Sequence, residues 1–412
     1  MVSKLPQLPE GNLCILTGAT GALGQELLCQ MLERQPDFHL VVVSRGNKEA
    51  TAERRITSIV RRHFTGEDLE KKLSRLSVLD GDITLLRLGL SSEAWDDLAS
   101  RTRQVMHCAA GVRFDQPLND ARRINLEGTS HVLDLARAAR KAGNEGRFNY
   151  ISTSYVAGKR RGVAYEDELE HKAGFHNTYE QTKYEAELLV RAAMNDLPAS
   201  IMRPSIIVGD SRTGETINYK AFYWPLRAYA NNQMRVMPAN KHCRVDLVPV
   251  DYVASGAAYM CNLPQTVGNT YHLTAGRSNL VTVREVAKAA LSYFNVKKPI
   301  VVDPRFVNLL SGPIGKYLLD ERTYKTIKLG SPYYPYLGMR LEFDNSKTAV
   351  LLEDAGIVAP SVREFFNTLF RYCAETDWGK KPRHAQASRN RSENASTELP
   401  ATPGPVVTIK AR

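Results

Sequence analysis

The chain has 412 residues, 43% of them hydrophobic and 24% charged, an ordinary globular composition with enough apolar side chain for a sizeable core. Its formal charge is +11, but residues 380–412 hold seven Lys/Arg against two Glu, so the body carries only +6 and shows no stripe of cations. No nucleic-acid partner is expected from such a body, and small anionic ligands suit it better. The six cysteines are scattered without a CxxC pair, the start has no signal-peptide character, and no apolar run reaches spanning length. Core thiols and a cytoplasmic setting are expected.

From residue 13 short apolar runs alternate with amphipathic stretches, the pattern of a parallel sheet covered by helices. The first run (13–18) leads into TGATGALG. Such a turn needs one residue without Cβ for its tight path, another where backbone approaches pyrophosphate, and a third for close helix packing. The helix amino terminus that follows favours phosphate. Thr17, Gly18, Thr20, Gly21, Ala22, Leu23 and Gly24 are therefore the expected dinucleotide cradle, with GxxGxxG spacing in place of the usual GxGxxG. The second run (39–45) ends on Ser44 and Arg45 with no carboxylate. An acid there would bind ribose hydroxyls, whereas a cation accommodates a 2′-phosphate, so Arg45, backed by Arg55, predicts NADPH.

The third run (76–82) brings Asp82 and Ile83 to the adenine edge. The fourth (104–110) turns through Ala109, Ala110 and Gly111, small enough to let a cofactor pass, and its Cys108 reads as a structural thiol despite the neighbouring His107. Asn125 precedes a helix whose Leu126, Val132, Leu133, Leu135 and Ala136 share one stripe, and its position suits a helix cap. The fifth run (148–154) ends on the hydroxyls Ser152, Thr153 and Ser154 at the carboxyl side of the sheet, where α/β ligand sites form. Further on, NTYEQTKYEAELLVRAA sets Tyr179 and Lys183 four apart on one helical face. An ammonium beside a phenol lowers the phenol's pKa from about 10, which predicts a proton-transfer group.

A sixth run (199–209) completes the series, and beyond it the alternation weakens. Aromatics and Met between Tyr219 and Met237 suit an apolar substrate. The stretch 305–319 reads as a core helix and loop, or as the mouth for a greasy chain. The expected fold class is α/β, a Rossmann-type doubly wound parallel sheet with a smaller substrate-binding lobe toward the C-terminus. The expected division is an NAD(P)-binding domain over 10–275, with substrate elements from about 210, a substrate lobe over 276–378 and a disordered basic tail over 379–412. No cluster of His, Cys and carboxylates stands at ligand spacing, so no metal is expected.

The glycine turn, STSYV and the YxxxK helix occur in the order and spacing of the extended short-chain dehydrogenases/reductases. More narrowly, HCAAGVRFDQPLNDARRINLEGTSHVLDLA, NTYEQTKYEAE, RPSIIVGDSRTGE and VDLVPVDYVA resemble the thioester reductase and fatty acyl-CoA reductase branch. The resemblance implies reduction of an acyl thioester, carried on coenzyme A or a carrier protein, to aldehyde or on to alcohol. It also implies a Thr-Tyr-Lys set at Thr153, Tyr179 and Lys183, with Lys183 on the nicotinamide ribose, Asn125 ordering the site, and Pro204 and Ile206 flanking the nicotinamide. The carboxy-terminal part is less hydrophobic than in the membrane-bound members, so no stable anchor is expected. A ketone, aldehyde or hydroxysteroid reductase, a sugar-nucleotide epimerase or dehydratase, and a non-catalytic dinucleotide sensor share the fold-level features.

Overall fold

The structure, a computed structural model, describes residues 12–233 and 236–381. The expected basic tail lies outside the described residues from position 382 onward.

Seven strands form one sheet: β1 (Leu13–Thr17), β2 (His39–Ser44), β3 (Leu76–Asp80), β4 (Thr102–His107), β5 (Arg147–Ile151), β6 (Ala199–Pro204) and β7 (Thr270–Leu273). Their order is β7-β6-β5-β4-β1-β2-β3 and every pairing is parallel. The helices that position the site or build the cores are α1 (Ala22–Arg34), α2 (Ala52–His63), α3 (Ser92–Arg101), α4 (Gly128–Lys141), α5 (Thr178–Ala193), α6 (Tyr223–Ala230), α7 (Val250–Met260), α8 (Val283–Phe294), α9 (Glu321–Gly330) and α10 (Val362–Glu375).

Side chains alternate across a strand, and here both faces are covered. Cys14, Leu16, Leu40, Val42 and Met106 pack with α1, α2 and α7. Leu13, Ile15, Val41, Val43 and Val105 pack with α3, α4 and α5. The sheet is therefore the expected doubly wound α/β arrangement, and the continuous apolar character of its strands follows from burial on both sides. Strand order reverses between β1 and β4, and a crevice opens outside their carboxyl ends, where such folds bind ligands.

Two local features depart from the sequence reading. The run 199–209 is not one strand: β6 ends at Pro204, and Ile206–Val208 turns away to pair with Leu247–Pro249. The fork is pinned by Asp246, whose buried carboxylate accepts bonds from the Ser205 hydroxyl and from the Ala275 amide (2.9 Å). The second feature is β7, whose short sequence TYHL carries no apolar run.

A second apolar core collects Val208, Tyr223, Leu226, Met237, Val245, Leu247, Val281, Ala290, Ile327, Phe366 and Phe370, so it draws on α6, α8, α9 and α10 together with the diverted strand pair. From the stretch 305–319 Val307, Leu310 and Leu319 reach this core, while Ile314, Tyr317 and Leu318 are exposed. No helix among the described residues is long and apolar enough to cross a membrane.

Candidate functional site

A cavity of about 420 Å³ lies at the carboxyl ends of β1 and β4. Its floor is the glycine turn. Gly18 has φ +81°, and a Cβ on it would stand 2.5 Å from the Ala109 amide nitrogen; a Cβ on Gly24 would stand 2.0 Å from the Gly18 carbonyl oxygen. Glycine is thus demanded at both by backbone packing. Gly21 opens α1 with no side-chain cap and no acid in the first turn, which leaves amide hydrogens free for an anion. This cradle, open where pyrophosphate would lie and closed to side chains elsewhere, fits a dinucleotide. Thr20, Gly21, Ala22, Leu23, Gly24, Ala109 and Ala110 line it with Gly18.

At the far end Arg45, Asp82 and Ile83 line the same cavity. Arg45 donates to Asp82 at 3.0 Å and is 66% exposed, so it can turn outward toward a ligand. Partial burial alone would raise the Asp82 pKa, but bonds from Thr84 and Arg45 hold it below the ordinary carboxylate range. Arg55 does not line the cavity; its guanidinium is spent on the Arg45 carbonyl at 2.6 Å.

Thr17 is also out of the cavity, completely buried beneath the turn. It belongs to a chain of hydrogen bonds. The Ala109 amide donates to the Thr17 hydroxyl (3.3 Å), which lies 2.7 Å from Nδ1 of His107, while Nε2 of His107 lies 3.1 Å from Thr129. The Thr129 hydroxyl donates to the Asn125 carbonyl, and the Asn125 side chain receives the Gly111 amide at 2.7 Å and donates to Thr182 at 2.9 Å. Burial, reinforced by the Lys183 charge, pushes the His107 pKa down to about 3 and keeps the ring neutral. Asn125 and Gly111 thus fix the loop above the cavity without lining it. Asn125 is no cap, because its helix runs on from Leu118 through a wide turn at Arg123–Glu127 into α4.

Tyr179 and Lys183 sit on α5, which Asn177 caps by accepting the Glu180 amide at 3.0 Å. Tyr179 lines the apolar side of the site together with Thr153, the cap of a short helix after β5 whose hydroxyl donates to the Pro204 carbonyl at 3.4 Å. The expected lowering of the phenol pKa is not found. Burial pushes Tyr179 up to about 12, against the lowering effect of Thr153. Lys183 points elsewhere: its Nζ donates to the Tyr150 hydroxyl and to the Ile151 carbonyl, both at 2.7 Å. Burial brings Lys183 down to about 7, against the pull of Cys108 and Glu187. Ser152 is tied to the buried Glu187 at 2.6 Å, and the Ser154 hydroxyl is buried without a protein partner, which leaves Thr153 as the hydroxyl that meets Tyr179.

A second cavity, about 240 Å³, adjoins the first. Thr153, Tyr179 and Ile206 line it, whereas Lys183 lines only the first; Val112, Tyr179, Pro204, Ile207 and Asn218 belong to both. Its walls are largely apolar, from Phe114, Phe222, Leu226, Met237, Val286 and Tyr336 among others. Phe114 stacks on Tyr179 (5.8 Å between centroids) and on Tyr336 (5.5 Å). The Tyr336 hydroxyl donates to Glu180, whose pKa burial raises to about 7. Sequence reasoning did not single out Tyr150, Phe114, Asn218 or Tyr336. The stretch 305–319 does not line this cavity.

Residues 16–257 match the family described as "Male sterility protein", an NAD-binding family. The chain belongs to it. Among its relatives, it is 30% identical over 273 residues to the L-2-aminoadipate reductase large subunit of Penicillium chrysogenum, covering 63% of this chain and 19% of that protein. It is 28% identical over 334 residues to fatty acyl-CoA reductase 1 of Mus musculus, covering 71% and 63%. The chain therefore spans less than two thirds of the length of either relative. Among solved structures, the terminal R domain of the myxalamid PKS-NRPS biosynthetic pathway superposes with a TM-score of 0.75 at 26% identity, over 92% of this chain and 94% of that one. The extended short-chain dehydrogenase/reductase resemblance read from the sequence is borne out for the male sterility family fold.

Proposed function

We propose that the chain is an NADPH-dependent reductase that converts an acyl thioester, on coenzyme A or on a carrier protein, to the aldehyde. The observation that carries this reading is the meeting of a dinucleotide-shaped cavity and an apolar cavity at a single phenol, Tyr179. The family relatives named as reductases support the same reading.

Gly18, Gly21 and Gly24 would hold the pyrophosphate, Asp82 and Ile83 the adenosine end, and Lys183 the nicotinamide ribose. When bound, the nicotinamide supplies a hydride to the thioester carbonyl carbon. Tyr179, kept protonated by its high pKa and oriented by Thr153, donates a hydrogen bond and then a proton to the carbonyl oxygen as charge develops there. The hemithioacetal then loses its hydroxyl proton as the C–S bond breaks, so thiol leaves and the aldehyde carbonyl forms. No acyl-enzyme enters this scheme. Burial pushes the Cys108 thiol up to about 12, and both ring nitrogens of His107 are engaged by threonines.

With NADPH and acyl-CoA or acyl-carrier thioesters, free thiol is expected to appear in step with aldehyde, in Cys108→Ala as in the parent. Oxidation of NADPH by ketones or sugar nucleotides, with no thioester consumed, would overturn the reading.

Preference for NADPH rests on Arg45. Arg45→Asp is expected to raise the Kd for NADPH by about tenfold or more, the scale of a charged hydrogen bond, and to leave NADH little changed. Equal affinity of the parent for both dinucleotides in a fluorescence titration would refute the assignment.

A further inference from the structure

Tyr150 is fully buried in β5, where its ring stacks on His107 (5.7 Å between centroids) and on Phe148 (6.4 Å). Phenylalanine would pack among those rings equally well, and a buried hydroxyl is costly unless something meets it. The group that meets it is the Lys183 ammonium, which donates to the phenol oxygen at 2.7 Å and stands 4.1 Å from the ring centroid.

An ammonium has three hydrogens to donate. Tyr150 takes one and the Ile151 carbonyl a second, both from β5, which leaves one for the dinucleotide cavity that Lys183 lines. The other titratable groups around the lysine do little to hold its charge. His107 is neutral, burial keeps the Cys108 thiol and the Tyr179 phenol protonated, and the Glu187 carboxylate is committed to Arg203, Arg191 and Ser152. Burial drives Lys183 toward the neutral amine, with its pKa brought down to about 7. Each direct acceptor therefore decides how far up the pH scale the charge survives.

We infer that Tyr150 is a positioning residue for the dinucleotide: its phenol oxygen seats the Lys183 ammonium on β5, keeps it charged and leaves its remaining hydrogen for a ribose hydroxyl of the nicotinamide half. The inference rests on the dinucleotide site of the proposed function and not on the thioester step.

The test is the Kd for NADPH, read by fluorescence from about pH 6 to about pH 10 in the parent, Tyr150→Phe and Lys183→Met. In the parent Kd should climb as pH rises through the Lys183 pKa, because the ammonium gives the ribose a charge-assisted bond that the amine does not. Lys183→Met should abolish the climb. In Tyr150→Phe it should begin about one pH unit lower or more, the scale of one hydrogen bond to a charged group. Urea unfolding separates this role from packing. The folded pKa of Lys183 lies below the unfolded value of about 10.4, and Tyr150→Phe lowers it further. The variant's extra cost is then full where the parent lysine is charged and fades as pH rises through the parent's folded value, whereas a cost from lost packing ignores pH. No climb in the parent, a climb that persists in Lys183→Met, a climb at the same pH in Tyr150→Phe as in the parent, or a stability gap that ignores pH would overturn the inference. None of these measurements needs a thioester, so failure of the thioester reading leaves their outcome standing.

Discussion

Tyr179→Phe is expected to lower turnover by about a hundredfold or more, the scale of a lost general acid, while dinucleotide affinity stays near the parent's. The ring is retained, so its stacking on Phe114 survives and the wall between the two cavities keeps its shape. What goes is the hydroxyl of the one hydroxyl-bearing side chain among the five that line both cavities. Because its benefit is realised on developing charge, the loss should fall on kcat and not on substrate KM. Single-turnover rates with dinucleotide titrations run in parallel separate the two quantities. A variant that kept more than about a tenth of the parent rate would remove Tyr179 from the proton-transfer role.

The largest expected effect on stability comes from Arg203→Met. Arg203 on β6 and Glu187 on α5 are 2% and 0% exposed, and Nε of Arg203 lies 3.1 Å from both carboxylate oxygens. Ser152 and Arg191 add further bonds to the same carboxylate. Removing the arginine leaves a buried charge short of its main partner, at a cost of about 3–5 kcal/mol. The pH dependence gives the mechanism a second signature. Burial alone would raise the Glu187 pKa, but Arg203 and Ser152 outweigh it and hold the folded value below the unfolded one. The pair's contribution is therefore present above the unfolded carboxylate pKa, about 4.3, and is lost as pH falls through the lower folded value. In Arg203→Met the desolvated carboxyl instead gains from protonation, so the stability gap between parent and variant should narrow as acid is added. Urea unfolding at several pH values measures that gap, and a gap that is small at neutral pH or that widens in acid would exclude a paired, buried Glu187.

The sheet was legible because its strands bury both faces, so Leu13 to Leu16 or Leu40 to Val43 read as unbroken apolar runs. The glycine turn was legible because each glycine answers a local demand. β7 was not, since Tyr271 and His272 give a four-residue strand no apolar signature. Arg203 and Glu187 look like surface residues in a linear sequence, and only the crossing of β6 and α5 makes them partners. The apolar residues of α6 and α8 are some sixty residues apart, and their meeting in one core is a tertiary fact. Tyr150 read as one more core aromatic of an apolar run. Its hydroxyl nevertheless receives Lys183, which is why spacing on α5 placed the ammonium on the right face and still misjudged its effect on the phenol.

The wall that the two cavities share, from Val112 to Asn218, makes them thermodynamically linked. Whatever factor a bound dinucleotide imposes on affinity for the acyl group, the acyl group imposes the same factor in return. Under the proposed reduction, an aldehyde still seated in the apolar cavity would thereby alter how readily spent dinucleotide is exchanged for fresh. Under the proposed thioester reduction the end product would then be settled by a race: aldehyde departing before that exchange would leave as aldehyde, and aldehyde outlasting it would meet a second reducing equivalent and leave as alcohol.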